Sequence, residues 1–387
     1  MEGRLWRNLD PWLVLLPAGL SAFGVLVIGS ATAIPGETAA PEVWAHATAA
    51  AVGLLLLAVV SLIDYRWWGA FWWLAYLAAV GILIVTAVGG QTIYGAQRWL
   101  SYGPVGLQPS EFVKLAFIIA LARVLADQTG HLRNLVFSAA LLLPLLVLIY
   151  QQPDLATALV LVAIWCGMIL VAGMPLPLLA GSLLAPIIAW PLTWRLLRGY
   201  MRERLTTFLA PERDPLGAGY NMIQARISIG SGGWWGRGLG EGTQTQLNFL
   251  RVRHTDFIFA VVGEELGFMG AVGLLTSYAW LILRCLAGAQ DTRDSFGRLV
   301  ATGVATMLLF EIFVNIGMNL GIVPVAGIPL PFVSYGRSAL LANFLALGLV
   351  QSVRLHAHAR RYDHPSAIRL PLTARLRRAA GSRTQVP

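Results

Sequence analysis

Apolar residues run along this chain in long blocks separated by short polar or basic stretches. The two-residue alternation of a half-buried strand and the 3.6-residue stripe of a surface helix are both subordinate to these blocks. A helix crossing ~30 Å of hydrocarbon needs ~20 apolar residues. About ten blocks reach or approach that length: 12–33, 45–63, 69–88, 110–126, 135–151, 154–173, 176–196, 257–283, 298–321 and 333–353. Trp67, Trp68, Trp72, Trp73, Trp190 and Trp194 gather at block ends, where interfacial aromatics belong. The pattern predicts an all-α, polytopic membrane protein of about ten transmembrane helices, with a long extracytoplasmic loop (197–256) between spans 7 and 8. The first block, starting near Pro11, reads as a span. No small-residue cleavage site follows a short core, as a cleavable signal would require.

Composition agrees. Of 387 residues, 57% are hydrophobic and 12% charged, against about 25% charged in a soluble chain. The net charge is +9, and Lys114 is the only lysine. Arginines concentrate in the tail from Arg354 to Arg383 and again between Arg195 and Arg253. An even number of spans puts both termini on one side, and the basic tail assigns that side to the cytoplasm. Arg133, Arg284, Arg293 and Arg298 then fall inside, and the 89–109, 197–256 and 322–332 segments outside. The domain reading is 1–355 for the membrane domain and 356–387 for a basic cytoplasmic tail. The tail is expected to be disordered and drawn to anionic membrane lipid. Cys166 and Cys285 give no disulfide framework, and the six histidines have no zinc spacing. No nucleic-acid partner is expected.

Ionisable groups at membrane depth are costly and mark function by default. Glu111 and Lys114, in "QPSEFVKLAF", are three apart and share a helix face. They form either a packing ion pair or a fixed positive charge facing an anionic substrate. Arg98 and Trp99 lie on the preceding broken loop. In "QQPDLATAL", Pro153 opens the sixth span, with Asp154 in its first turn beside Gln152. Asp154 is either a dipole-stabilising acid or a substrate contact. In "RVRHTDFIFAVVGEELGF", Thr255 is placed to cap the helix behind His254, while Asp256 sits where an arginine-rich loop enters an apolar run. A partly desolvated carboxylate tuned by nearby arginines is what a general base requires. Gly263 and Gly267 form a small-xxx-small pair for close helix contact. Glu311, Asn315 and Asn319 make a polar stripe that reads as interhelical glue. The prolines of "GIVPVAGIPLPFVSYG" preclude regular helix, so Ser334 and Tyr335 are expected to line a cavity. The broken outer segments together suit an anionic, lipid-anchored substrate carrying phosphate, which arginine binds bidentately.

At this point the motifs become familiar. "GAQRWL" (95–100), "QPSEFVKLA" (108–116), "QPDLATAL" (152–159), "DPLGAGYNMIQARISIGSGG" (214–233), "GTQTQLNFLRVRHTDFIFAVVGEELG" (242–267) and "GIVPVAGIPLPFVSYG" (321–336) resemble the SEDS family (shape, elongation, division and sporulation). The wording of "GAQRWL" and "GTQTQLNFL" is closer to its elongation branch than to its division branch. The resemblance covers almost all of residues 10–355. It implies a peptidoglycan glycosyltransferase that polymerises lipid II at the outer face of the cytoplasmic membrane for cell elongation and rod shape. It also implies a class B penicillin-binding protein and the elongation machinery as partners. The family's essential aspartate falls on Asp256, its loop tryptophan on Trp99 and its span lysine on Lys114. The usual "SYGGS" reads "SYGRS" here, so Arg337 replaces a glycine.

The implied chemistry is inverting glycosyl transfer. Asp256 takes the proton of an acceptor 4-hydroxyl as it attacks an anomeric carbon, and polyprenyl diphosphate leaves. Arg204, Arg226 and Arg251 are the candidates for holding the diphosphate, with Ser231, His254 and the residues above as further substrate contacts. A divalent cation, Mg or Mn, is the one candidate cofactor; the sequence names no metal ligands. The competing readings are a flippase for the same lipid, a division-type polymerase and a membrane scaffold. A flippase needs polar lining open to both faces, and a scaffold does not need Asp256.

Overall fold

A computed structural model describes residues 8–33, 40–93, 96–102, 105–127, 131–178, 180, 181, 184, 199–215, 217, 219–247, 249, 250 and 252–357. The long helices are α1 (Trp12–Thr32), α2 (Pro41–Leu62), α4 (Trp72–Gly89), α5 (Pro109–Ala126), α6 (His131–Gln151), α7 (Leu155–Val171), α11 (Ile258–Asp291), α12 (Ser295–Leu320) and α13 (Arg337–Ala357). Short helices are α3 (Tyr65–Ala70), α8 (Gly199–Leu209), α9 (Tyr220–Ser231) and α10 (Thr243–Gln246).

Among the described residues, seven helices are long and apolar enough to cross a membrane: α1, α2, α4, α6, α11, α12 and α13. Two further expected spans form helices with a reason for standing apart. α5 carries Glu111, Lys114 and Arg123, and α7 has only 17 residues. The block expected over 176–196 lies largely outside the described residues, as do Arg251 and the tail beyond 357. The fold is mostly helical but not all-α. The segment between α4 and α5 is a three-stranded antiparallel sheet, β1 (Gln91–Ile93), β2 (Ala96–Tyr102) and β3 (Val105–Leu107), in that order. Gln91 pairs with Trp99 and Leu100 with Leu107.

α12 and α13 lie at the centre, with the buried α5 beside them. The most apolar windows of α12 and α13 are 78% buried, against 17% to 39% for the outer helices α1, α2, α4 and α6. Lipid is as apolar as leucine, so close packing rather than burial from water holds such helices together. Glycine provides that packing: a Cβ at Gly53 of α2 would lie 2.2 Å from the Phe344 ring of α13, and one at Gly348 of α13 would meet Leu57 and Val60 of α2. α12 is capped at both ends. Asp294 accepts from the Gly297 N–H, and Gly321 closes the helix in the left-handed region at φ 71°. At the other end of the bundle from Asp256, Asp10 pairs with Arg284 (2.6 Å) and Arg354, and Arg354 also pairs with Asp291 (3.0 Å).

α11 is not straight. Gly267 has φ 64° and ψ −161°, which breaks the helix into Ile258–Leu266 and a longer second piece. The expected Gly263/Gly267 contact pair therefore divides its roles. Gly263 lets Ile229 approach, and Gly232 in turn sits against the Gly263 carbonyl, while Gly267 makes a kink that a side chain would block against Gly236 and Trp234.

Candidate active site

Asp256 ends a turn, Val252–Phe257, that precedes α11 rather than lying in its first turn. Thr255 does not cap the helix as expected: no side chain caps it, and the Thr255 hydroxyl donates to the Val252 carbonyl (3.2 Å). Other elements hold the turn by its backbone. From α12, Asn315 and Asn319 each donate a side-chain N–H to the Asp256 carbonyl (3.1 and 3.0 Å). Asn319 also accepts from the Ala260 N–H (3.2 Å). From the proline-rich segment, the Ser334 hydroxyl donates to the Thr255 carbonyl (2.6 Å), and the Tyr335 N–H donates to the His254 carbonyl (2.9 Å). The Tyr335 ring meets the His254 ring edge-on at 5.7 Å. Asn315 donates as well to the Ile328 carbonyl (2.8 Å), tying the proline-rich segment to the same helix.

With its backbone clamped, Asp256 holds its carboxylate beside Gly327, where an added Cβ (φ 78°) would lie 3.7 Å from Oδ2, in ordinary contact. Asp256 is partly buried. Burial pushes its carboxyl above the ordinary aspartate range, while the Arg204 guanidinium pulls it part of the way back. Arg204, on α8, is oriented by the Val325 and Ala326 carbonyls (3.1 and 3.0 Å). It also lines a cavity of about 300 Å³ with Glu203, Thr207, Phe208, Asn221, Met222 and Val325. Burial lowers the His254 imidazole below the usual histidine range, so it is neutral near pH 7.

The other expected site residues divide into groups. Arg226 reaches the Gly321 carbonyl (3.3 Å), beside the end of α12. Ser231 donates into its own helix, to the Ser228 carbonyl, and is not drawn to Asp256. Arg98 donates to the Gln152 carbonyl (3.0 Å) and the Pro153 carbonyl, with Asp154 at 3.6 Å. Asp154 is the N-cap of α7, accepting from the Thr157 N–H and hydroxyl (3.2 and 2.9 Å), and the helix begins at Leu155 rather than at Pro153. The Gln152 amide donates to the Leu83 carbonyl (2.9 Å). These residues fasten the sheet to the α6–α7 turn, and Trp99 packs across that sheet toward Gly106. The two groups meet at the start of α13, where the Gln108 N–H donates to Ser338 (2.9 Å), four residues beyond Ser334.

Lys114 lies in the interior of the bundle. It is buried between Glu111 (2.7 Å) and Glu311 (2.5 Å), and Asn343 donates to Glu311 (3.4 Å). The expected pair is thus a triad of one cation and two carboxylates. The remaining acids of the motif are structural: Glu264 accepts from Gln244 and Thr245 at the start of α10, and Glu265 accepts from the Ser30 hydroxyl (2.6 Å). The Asn315/Asn319 clamp was missed because a stripe at four-residue spacing says which face is polar, not what that face meets. Among the described residues, no group of three or more His, Cys, Asp or Glu is placed to hold a metal ion.

The FtsW/RodA/SpoVE family model, described as cell cycle protein, matches residues 11–359. The peptidoglycan glycosyltransferase MrdB of Escherichia coli K12 is 38% identical over 354 residues, covering 90% of this chain and 94% of that one. The peptidoglycan glycosyltransferase RodA of Treponema pallidum is 30% identical over 421 residues, covering 89% and 97%. Among solved structures, a chain of a peptidoglycan synthase complex, described for its structural coordination of polymerization and crosslinking, superposes with a TM-score of 0.78 at 34% identity, covering 92% and 99%. The rod shape determining protein RodA of Thermus thermophilus gives 0.69 at 31% identity, covering 90% and 98%. The chain belongs to the FtsW/RodA/SpoVE family of cell cycle proteins.

Proposed function

We propose that the protein is a peptidoglycan glycosyltransferase that polymerises lipid II during cell elongation. The names of its relatives support the enzyme class and the elongation branch. The observation that carries the mechanism is a single carboxylate, raised by burial, with its backbone clamped from two elements and an arginine beside it.

In this reading Asp256 accepts the proton of the acceptor 4-hydroxyl while that oxygen attacks the anomeric carbon of the growing chain, with inversion. The C–O bond to the diphosphate breaks as the new glycosidic bond forms. Diphosphate leaves as an anion and needs no proton, so one acid–base group suffices. Arg204 stabilises the developing charge, and Arg226 extends the basic surface. Were a divalent cation required, Asp256 and the substrate diphosphate would be the groups to hold it, and it would neutralise leaving-group charge; loss of activity in chelator, restored by magnesium, tests that. The site opens to the outer face, with both termini cytoplasmic and ten crossings once 176–196 is counted. A class B penicillin-binding protein is the proposed partner, supported by likeness to a chain of a complex that coordinates polymerization and crosslinking.

The test is purified protein with lipid II in detergent. Glycan polymer that a muramidase degrades supports the reading. Lipid translocation across liposomes without polymer would make the protein a flippase instead.

A further inference from the structure

The turn between α9 and α10 takes no part in the chemistry above, yet it displays two adjacent indoles. Trp234 and Trp235 are 69% and 81% exposed. Left in water, they would be a costly apolar projection. Their surroundings say what covers them. The Trp234 ring meets Phe268 edge-on at 5.0 Å. Phe268 in turn begins an exposed apolar stripe down α11: Phe268, Met269, Val272, Leu275 and Leu283. On a spanning helix that stripe is the lipid-facing side. At its other end Trp280 meets Trp12 edge-on at 5.8 Å, one turn before Arg284 and its partner Asp10.

The spacing fits a bilayer. Phe268 and Arg284 are 16 residues apart on unbroken helix, or about 24 Å at 1.5 Å per residue. If Arg284 marks one edge of a ~30 Å hydrocarbon core, Phe268 lies about 6 Å short of the other edge, and the tryptophan turn packed on it falls in the boundary there. Tryptophan is enriched at such edges because its apolar body enters lipid while its N–H stays wet.

The turn is fastened there. The Gly233 and Trp234 carbonyls accept from the Phe268 and Met269 N–H groups (2.9 and 3.1 Å). The Arg237 and Gly238 N–H groups donate to the Glu264 and Glu265 carbonyls (both 3.0 Å). These bonds occupy the backbone groups that the Gly267 kink frees, so irregular chain can lie at the membrane edge with its polar groups paired. We propose that the Trp234–Trp235 turn is a bilayer-interface anchor: its indoles enter the lipid boundary on the Asp256 side and fix the depth of the Gly267 kink. The occupant is lipid, because the indoles continue the lipid-facing stripe of α11. This proposal does not depend on the reaction at Asp256.

The experiment places a nitroxide at Trp235→Cys, and separately at Glu241→Cys in the exposed part of the loop, in full-length protein carrying Cys166→Ala and Cys285→Ala. Each is reconstituted in phosphatidylcholine/phosphatidylglycerol nanodiscs. Collision with oxygen should exceed collision with a water-soluble nickel chelate at 235, with a depth of about 5–10 Å into the headgroup and acyl boundary. The order should reverse at 241. Nickel exceeding oxygen at 235 would put the turn in water and overturn the proposal. Protection from both would mean that protein covers it, a second copy included, and would also overturn it. If the labelled variants do not fold, Trp235→Phe in the native background replaces them. The emission lost in that variant must be quenched by lipid brominated near the headgroup; unquenched emission would reject the anchor.

Discussion

At the scale of single residues, Asp256 sits where its charge is disfavoured, and the sign of that effect can be followed. The folded carboxyl titrates above the unfolded one because burial penalises the anion. Native protein therefore holds its proton to higher pH than unfolded protein does. Stability is greatest below the unfolded value and falls as pH rises through the folded one. Asp256→Asn should remove that cost, so its Tm at neutral pH should equal or exceed wild type while its polymerisation rate drops ~10²–10⁴-fold. For the same reason the acid limb of wild-type kcat/KM should lie above the ordinary aspartate range. Arg204 and Arg226 differ in an equally testable way. Arg204 acts on Asp256 and lines the adjoining cavity, whereas Arg226 contacts the Gly321 carbonyl at an exposed edge. Arg204→Gln should lower kcat/KM ~10-fold or more, the loss of one charge-assisted bond of ~1.5–3 kcal/mol. Arg226→Gln should cost less, measured as initial rates over a range of lipid II. The nearness of Arg204 to Asp256 was foreshadowed in the sequence, because a carboxylate at a loop–membrane boundary and a one-signed excess of arginine both need explaining. Ser231 and Thr255 were not, since a hydroxyl finds the nearest carbonyl and the sequence does not say which one.

At the scale of elements, α12 supplies the support that the sequence hid. Asn315 and Asn319 read as generic interhelical contacts, but both aim at the Asp256 carbonyl. Asn315→Ala takes the side-chain donor from the Ile328 carbonyl, Asn319→Ala takes the side-chain acceptor from the Ala260 N–H, and each removes one of the two donors to the Asp256 carbonyl, so each should cost about 1–3 kcal/mol in thermal or denaturant melts. They should also slow polymerisation beyond what the lost stability explains, because the base shifts. Wild-type turnover in both would show that the clamp does not position Asp256. The Lys114 triad makes a different prediction. Removing the lysine leaves Glu111 and Glu311 buried together without a cation, so Lys114→Ala should destabilise by about 3–5 kcal/mol. Glu111→Gln should cost less than Lys114→Ala in the same melts, because Glu311 still pairs with the lysine. The Glu111–Lys114 half was readable from its three-residue spacing; Glu311, nearly two hundred residues away, was not. The β1–β3 sheet escaped notice for a related reason: strands of three and seven residues in a glycine-rich loop are too short to show a period. The Gly267 kink reads in sequence as an ordinary small residue in an apolar run, and only the backbone of the Gly232–Gly238 turn against it gives it another role.

At the scale of the whole molecule, the two buried helices α12 and α13 form a post on which the functional segments are hung. α12 carries the asparagine clamp, the start of α13 carries Ser338 beneath the sheet, and the proline-rich segment joining them holds the Asp256 turn. The long apolar blocks made that bundle legible from the sequence, because span length is set by membrane thickness. How the blocks pack was not legible, since glycine contacts such as Gly53 on Phe344 leave no periodic signature. This membrane bundle is proposed to hold a single carboxylate, Asp256, as the base of a glycosyl transfer. The direct measurement is single-turnover polymerisation of lipid II by purified wild-type and Asp256→Asn protein, with the variant's melting temperature recorded alongside. Wild type should give polymer, and the variant a rate at least ~10²-fold slower with a melting temperature no lower than wild type. A well-folded Asp256→Asn protein that polymerises at the wild-type rate would contradict it.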